Sequence, residues 1–267
     1  VVMTHSGFGK IEMSGEFQAE AMERELERFE EAIEAAYGDR TTVKELEKAK
    51  DRLRERLERL KAADRKDPFL TFEELGVDQL YVDEAHLYKN LAIISRTQGM
   101  GLEGSQRAFD LYLKTQFLHR VNPGRGLIFA TGTPVSNSMS ELYTMQRYLQ
   151  PDVLEATGTA AFDAWASVYI ESAAGLELAP DAKTYRVKDP PRRFLNLPEL
   201  MGQFRTVADI RDREQLNLPT PALLGDKRQV VTAPRTPRFN AFMKDLLKRW
   251  ERIRGKRTQE GGDNPLS

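Results

Sequence analysis

The chain has 267 residues, 40% hydrophobic and 30% charged, enough for one large core or one and a half, as in a soluble globular protein. It has no cysteine, which excludes a disulfide framework or thiolate metal site, and His5, His86 and His119 are scattered without an H-E-x-x-H spacing, so no transition-metal centre is expected. The net charge of −1 argues against wholesale coating of nucleic acid, no apolar run approaches the roughly 20 residues that span a bilayer, and no signal peptide is visible.

In chain order, Val1-Val2-Met3 reads as the end of a strand. Residues 16–62 carry two heptad seams: Met22, Leu26, Phe29 and Ile33, then Leu46, Leu53, Leu57 and Leu60. Tyr37-Gly38-Asp39-Arg40 breaks the pattern, and Thr42-x-x-Glu45 is a capping box expected to start the second helix. Residues 16–34 hold eight Glu and two Arg, whereas 43–61 hold eight Lys or Arg and five acids. Opposite signs favour antiparallel pairing, so a helical hairpin with a self-contained seam is expected. It could serve as a lever or a docking arm; an inert insertion is the plainer alternative.

Thr71-x-x-Glu74 forms a second capping box, before a short helix. Leu80-Tyr81-Val82 then reads as a buried strand, followed by a glycine-bearing loop over 91–104 in which Arg96 could touch DNA. A helix capped by Ser105 runs over 105–119, Leu127-Ile128-Phe129-Ala130 is a second strand, and Met139–Leu149 is a helix closed by Pro151. Alternating helices and strands predict a parallel sheet. Further on, Phe162–Ser172 and Leu197–Val207 read as helices, with a proline-rich irregular stretch over 175–198 between them. Leu218–Pro221 reads as a linker, Gln229–Thr232 as a strand and 261–264 as a frayed end. Residues 235–257 form a basic helix with nine Lys or Arg against Asp245 and Glu251; Lys248, Arg249 and Arg252 could track a phosphate backbone, or the helix could be a solvated face.

The chemistry concentrates at two strand ends. Asp83-Glu84-Ala85-His86 follows the first strand, and Thr131-Gly132-Thr133-Pro134 follows the second. In open α/β sheets ligands bind beyond the carboxyl ends of strands, so both motifs are expected to face one site. In P-loop NTPases a strand ending in adjacent carboxylates supplies a Mg²⁺-holding Asp and an acid that orients the attacking water. The nearest approach to a phosphate-cradling G-x-x-x-x-G-K-[ST] is Thr4–Ile11, with Thr4 in place of the first Gly and Ile11 in place of the hydroxyl residue, and it is rejected. A G-x-S-x-G nucleophile elbow is also missing, which argues against a serine hydrolase.

Asp83–Asn90 resembles the DEAH-x-x-K-N box of Snf-type superfamily-two translocases, and Gly132–Asn137 with Glu141-Leu142-Tyr143, Leu149 and Pro151 resembles their third motif and the helix after it. Thr4-His5-Ser6-x-Phe8, Phe162–Ser167 and Asn196–Met201 extend the resemblance to the large helicase-like proteins of bacterial plasmids and phages, which often carry a DNA methylase. The resemblance implies an α/β fold: a partial RecA-like parallel sheet flanked by helices, with the hairpin at 16–62 inserted and a helical C-terminal extension. It implies a first motor lobe over 1–225 lacking its phosphate-loop part, and a strand plus basic helix over 226–267 leading toward a second lobe. The chain is thus expected to be a fragment of a DNA-dependent ATPase, inactive alone. Its implied cofactors are ATP and Mg²⁺. Asp83 would hold Mg²⁺ through water, Glu84 would polarise the hydrolytic water, and His86 would bond Thr131 or Thr133 to couple the nucleotide to DNA through the Thr131-Gly132-Thr133 turn. The implied partners are duplex DNA of any sequence, the remaining motor halves and a fused methylase where one is present, in the bacterial cytoplasm and not at a membrane. The alternative is a non-enzymatic DNA- or protein-binding scaffold with a relic ATPase core, against which the retained Glu84 argues.

Overall fold

The computed structural model describes residues 1–36, 40–62, 70–95, 101, 104–172, 175–178, 185–188, 191–211, 213–216 and 229–260. Arg96, the linker at 218–221 and the end at 261–264 lie outside them. The described residues are mostly helical with a small parallel sheet, an α/β arrangement, and the chain divides into two compact units.

The first unit comprises Val1–Ile170 and Phe194–Val207. It opens with α1 (His5–Phe8), capped by Thr4, whose Oγ1 accepts from the Gly7 N–H at 3.1 Å. The rejected phosphate-loop look-alike is therefore a helical turn that buries Phe8, not a glycine cradle. Val1–Met3 is exposed and pairs with no strand among the described residues, a correction to the strand expected there. Apolar, β-prone residues make a strand only where a neighbour takes their backbone hydrogen bonds.

The hairpin consists of α2 (Gly15–Ala35) and α3 (Arg40–Ala62). Ser14 caps α2 by accepting from the Phe17 N–H, and α3 is already under way at Arg40, ahead of the expected box at Thr42. Ion pairs Glu30–Lys50 at 2.6 Å and Glu23–Lys61 at 2.9 Å cross between the helices in antiparallel order. Such exposed pairs contribute at most about 1 kcal/mol each; burial of the seam contributes more. That seam has two parts. Phe29, Ala36 and Leu46 form a cluster of the hairpin's own, joined from outside by Ile94. Phe17 and Ala21 instead belong to the main core with Phe72, Val82, Tyr88 and Leu111. The hairpin is anchored at its base, so its seam is not wholly self-contained.

After a 3-10 turn at Glu73–Leu75, β1 (Leu80–Val82) leads into a second 3-10 turn at Ala85–Tyr88. The Glu74 carboxylate accepts from the Thr71 N–H and Oγ1 at 2.7 and 3.0 Å, the capping interaction expected there, around a single turn. Next, α4 (Gln106–Val121) is capped by Ser105, whose N–H also donates to the Asn90 carbonyl at 2.7 Å. Gly104 makes this junction possible, because a Cβ there would lie 2.4 Å from the Ala92 nitrogen. Lys114 is fully buried on α4; its Nζ donates to Asp110 at 2.7 Å and the Phe8 carbonyl at 3.0 Å. Burial lowers its pKa and raises that of Asp110, against their mutual attraction.

The chain then enters β2 (Leu127–Phe129), which pairs with β1 in parallel, Leu80 opposite Leu127 and Val82 opposite Phe129. Gly126 sets up this pairing with φ of 88°; its carbonyl accepts from the Leu80 N–H at 2.7 Å. The pair β1–β2, joined through α4, is the parallel sheet among the described residues. Beyond it, α5 (Ser140–Leu149) ends before Pro151, which occupies the first turn of a further helix, α6 (Pro151–Ala156). Proline stops one helix and starts the next, since the first-turn N–H it lacks has no helical acceptor. α7 (Phe162–Tyr169) docks on α5 through Trp165, which is buried and donates its indole N–H to Gln146 at 2.8 Å. α7 ends at Tyr169, earlier than the expected Ser172, because the chain turns extended in β3 (Ile170–Ser172).

The second unit comprises Glu171–Arg193 and Ala208–Ser267. The stretch expected to be irregular contains β4 (Gly175–Leu178), β5 (Tyr185–Lys188) and β6 (Pro191–Phe194). β4 and β5 are antiparallel, Leu176 opposite Val187 and Glu177 opposite Arg186; β6 pairs with β3. The prolines misled: Pro191 takes the first position of its strand, where it is tolerated. α8 (Leu197–Arg205) belongs to the first unit and buries Leu200 and Phe204. α9 (Arg213–Leu216) and the long α10 (Pro237–Glu260) close the second. Gln229–Thr232 is not a strand: Val230 and Val231 are exposed without a partner strand among the described residues.

Candidate functional site

Because β1 and β2 are parallel, adjacent and in register, the DEAH and TGTP segments leave the same edge of the sheet. The backbone zips one step further: the Ala130 N–H donates to the Val82 carbonyl at 2.9 Å, and the Ala85 N–H to the Ala130 carbonyl at 3.0 Å. Asp83 and Glu84 are exposed at this edge. Asp83 Oδ1 accepts from the Glu84 N–H at 2.9 Å, and Glu84 has left-handed backbone angles of φ 50° and ψ 45°. That conformation costs a residue other than glycine about 1 kcal/mol or more, and such residues gather where function fixes the backbone.

His86, half-buried, stands between the two motifs. Its Nδ1 lies 3.0 Å from Glu84 Oε2 and 3.5 Å from Thr131 Oγ1. The shorter is a close approach of imidazole and carboxylate, and the longer is a hydrogen bond at the limit of length. Of the two threonines expected as partners of His86, Thr131 is the one in reach. Thr133 instead donates its N–H to Thr131 Oγ1 at 3.2 Å, and Gly132 and Thr133 are exposed.

A second, buried connection was not foreseen. Lys89 follows the DEAH turn, and its Nζ donates to the Thr133 carbonyl at 3.0 Å, Ser136 Oγ at 2.7 Å and Glu141 Oε2 at 3.0 Å. The same oxygen of Glu141 accepts from the N–H groups of Ser136 at 2.6 Å and Asn137 at 3.2 Å. The Lys89 and Glu141 side chains are only 7% and 9% exposed. Burial pushes the Glu141 carboxyl up, but the Ser136 N–H, the Lys89 ammonium and the Asn137 N–H together hold it below its ordinary value. Helix capping at Ser136 and Asn137 thus runs in reverse: Glu141, in the first turn of α5, reaches back to their backbone, and neither side chain caps α5. Both residues of the pair sat in motif segments, but a lysine near a strand end is ordinarily solvated, so nothing in its spacing marked it as buried.

A further pair joins α5 to the hairpin. Arg147 donates to Glu25 at 3.1 Å and to the Ala92 carbonyl at 2.8 Å, and its guanidinium lies 4.6 Å from the centre of the Tyr112 ring. Burial works against its charge, but Tyr112 and Glu25 more than offset that, and its pKa is raised. Near the start of the chain, His5 Nδ1 lies 2.9 Å from the Tyr88 hydroxyl, tying the Thr4-His5-Ser6 segment to the turn after DEAH.

Asp83 and Glu84 are two carboxylates exposed at this edge; among the described residues no group of three or more His, Cys, Asp or Glu is placed to hold a metal ion. Lys89 is turned inward to the loop, so it gives the described edge no exposed cation. Lys248, Arg249 and Arg252 are exposed on α10 in the second unit, with Arg249 paired to Asp245 at 3.1 Å.

A family model described as "Probable helicase domain" matches residues 1–212. The chain belongs to that family. It is also 32% identical over 91 residues to the Defense against restriction protein B of Escherichia phage P1, a match covering 30% of this chain and 4% of that protein. The chain thus corresponds to a small part of that relative's length. No solved structure matches it. No helix among the described residues is long and apolar enough to cross a membrane.

Proposed function

We propose that the chain is part of an ATP-dependent DNA translocase or helicase of the Snf-like DEAH type. Residues 1–225 would belong to its first RecA-like lobe, and 226–267 would lead toward a second. The observation that carries this reading is the in-register parallel pair β1–β2, which sets the DEAH and TGTP segments side by side with His86 between them. Phosphoryl transfer needs positioning and charge neutralisation more than covalent help, and an edge of this kind supplies positioning. When bound, Mg²⁺ would neutralise phosphate oxygens. Asp83 would hold the ion through water, Glu84 would accept a hydrogen bond from the attacking water and orient it, and His86 would report the state of Glu84 to Thr131. The 3.0 Å approach of Glu84 Oε2 to His86 Nδ1 gives this relay a physical start: a change in what the carboxylate binds would be felt at the imidazole.

The nucleic acid proposed is duplex DNA read without regard to sequence, with Lys248, Arg249 and Arg252 as phosphate contacts. Similarity to a phage protein named for defense against restriction supports a plasmid or phage setting in a bacterial cytoplasm. The other motor parts, and a methylase if one is fused, would lie on the same polypeptide. The deciding experiment is ATP hydrolysis, with and without DNA, by a longer polypeptide that carries a phosphate loop.

A further inference from the structure

The Thr131–Asn137 loop, which follows β2, is exposed apart from its half-buried first residue. Among the described residues, two sets of side-chain bonds tie it to the body of the first unit. One is the contact of Thr131 with His86, 3.5 Å long and half-exposed. The other is the buried Lys89–Glu141 pair, in which Lys89 reaches Thr133, Ser136 and Glu141 while Glu141 holds the Ser136 and Asn137 N–H groups. Hydrogen bonds to charged groups are stronger than neutral ones, and their strength grows where water is excluded. The buried set therefore outweighs the exposed one.

We infer that Lys89 and Glu141 are positioning residues for the TGTP loop: their buried pair latches the loop to the turn after DEAH, and the His86–Thr131 contact is a consequence of that latch, not its cause. Lys89 is three residues beyond His86, so the 3-10 turn that brings His86 to Thr131 also brings Lys89 to Thr133 and Ser136 of the same loop. Glu141 extends the latch into α5, a helix fixed at its other end by Arg147. Loss of Lys89 would leave the Glu141 carboxylate buried without its cation, and the loop would have to open to hydrate it. Its consequence for coupling rests on the motor reading above; the latch itself does not.

The test is amide hydrogen exchange on the 267-residue chain. In Lys89→Met, exchange at Ser136 and Asn137 should accelerate by about tenfold or more, while buried α4 amides such as those of Leu111 and Leu113 keep their rates, because local opening is separable from global unfolding. Lys89→Arg should keep the loop amides within about threefold of wild type, as a cation is retained. His86→Ala should leave them unchanged. If Lys89→Met does not fold, Glu141→Gln decides: it keeps an acceptor for the two amides but loses the ion pair, and it should accelerate the same amides selectively. Unchanged loop exchange, or equal acceleration in α4, would overturn the latch. In a longer, ATP-hydrolysing polypeptide, Lys89→Met should also reduce the ratio of kcat with DNA to kcat without it. Absence of any hydrolysis there would count against the motor, while the exchange rates still decide the latch.

Discussion

Glu84 combines three properties: a left-handed backbone, a carboxylate exposed at a strand end and a carboxylate oxygen 3.0 Å from the imidazole of the histidine two residues on. The motif pointed to Glu84 and His86, but the strain and the contact between them depend on backbone angles that no spacing reveals. Lys89 and Glu141 were harder still, because burial of a charged pair is decided by packing around it. That pair has a pH signature. The folded Glu141 carboxyl sits below its ordinary value because the Ser136 N–H, Lys89 and the Asn137 N–H outweigh the effect of burial. A depressed carboxyl contributes stability that is complete above the unfolded value, about 4.3 for Glu, and is lost as pH falls through the folded value. Thermal transitions followed downward from neutral pH should therefore decline less steeply in Glu141→Gln than in wild type once pH drops below about 5. Parallel declines would show that Glu141 is not held by its partners in solution.

The elements themselves were largely legible where a strong period or a cap announced them. Leu80–Val82 and Leu127–Phe129 are strands, and Ser105 caps α4, but the first strand is not buried as expected: Tyr81 is exposed, as is Ile128 opposite it. Val1–Met3 and Gln229–Thr232 have strand-like residues but no neighbouring strand among the described residues, and pairing is a tertiary matter. β4 and β5 went unread because the prolines around them suggested an irregular stretch, although Leu176, Leu178, Tyr185 and Val187 alternate with other residues in the sequence. The hairpin was legible as a pair of helices but not as an anchored one, since the face that Phe17, Ala21 and Glu25 present to the core looks like a continuation of the seam. Its two halves should behave differently. Replacing residues 30–53 with a short Gly-Ser linker should leave the first unit's thermal transition in place. By contrast, Phe17→Ala should destabilise the chain by about 3 kcal/mol. Glu25→Ala, which strands Arg147 in the core, should do so by a similar amount, about 3 kcal/mol. Calorimetry of the three variants checks this; a missing transition in the linker variant would place the distal half in the main core as well.

At the scale of the whole molecule, the chain belongs to a helicase-domain family, with its DEAH and TGTP segments on the first unit and its most basic described helix on the second. Nothing in composition separates these tasks, since the net charge is −1 and the basic residues are offset elsewhere. If α10 grips DNA, binding should be indifferent to sequence, and log affinity should fall with log salt by about 0.9 for each phosphate neutralised. Charge reversal at Lys248, Arg249 and Arg252 should flatten that slope by about 0.9 for each phosphate no longer neutralised. A slope unaffected by all three reversals would make α10 a solvated face. The central claim, that Asp83, Glu84, His86 and Thr131 form the working edge of a DNA-driven ATPase, is tested most directly by steady-state ATP hydrolysis in a longer polypeptide with a phosphate loop. Wild type should hydrolyse ATP faster with duplex DNA. Glu84→Gln should abolish turnover while DNA still binds, and His86→Ala should keep part of the turnover but lose its dependence on DNA. Hydrolysis that survives Glu84→Gln, or the same defect in both variants, would contradict the account.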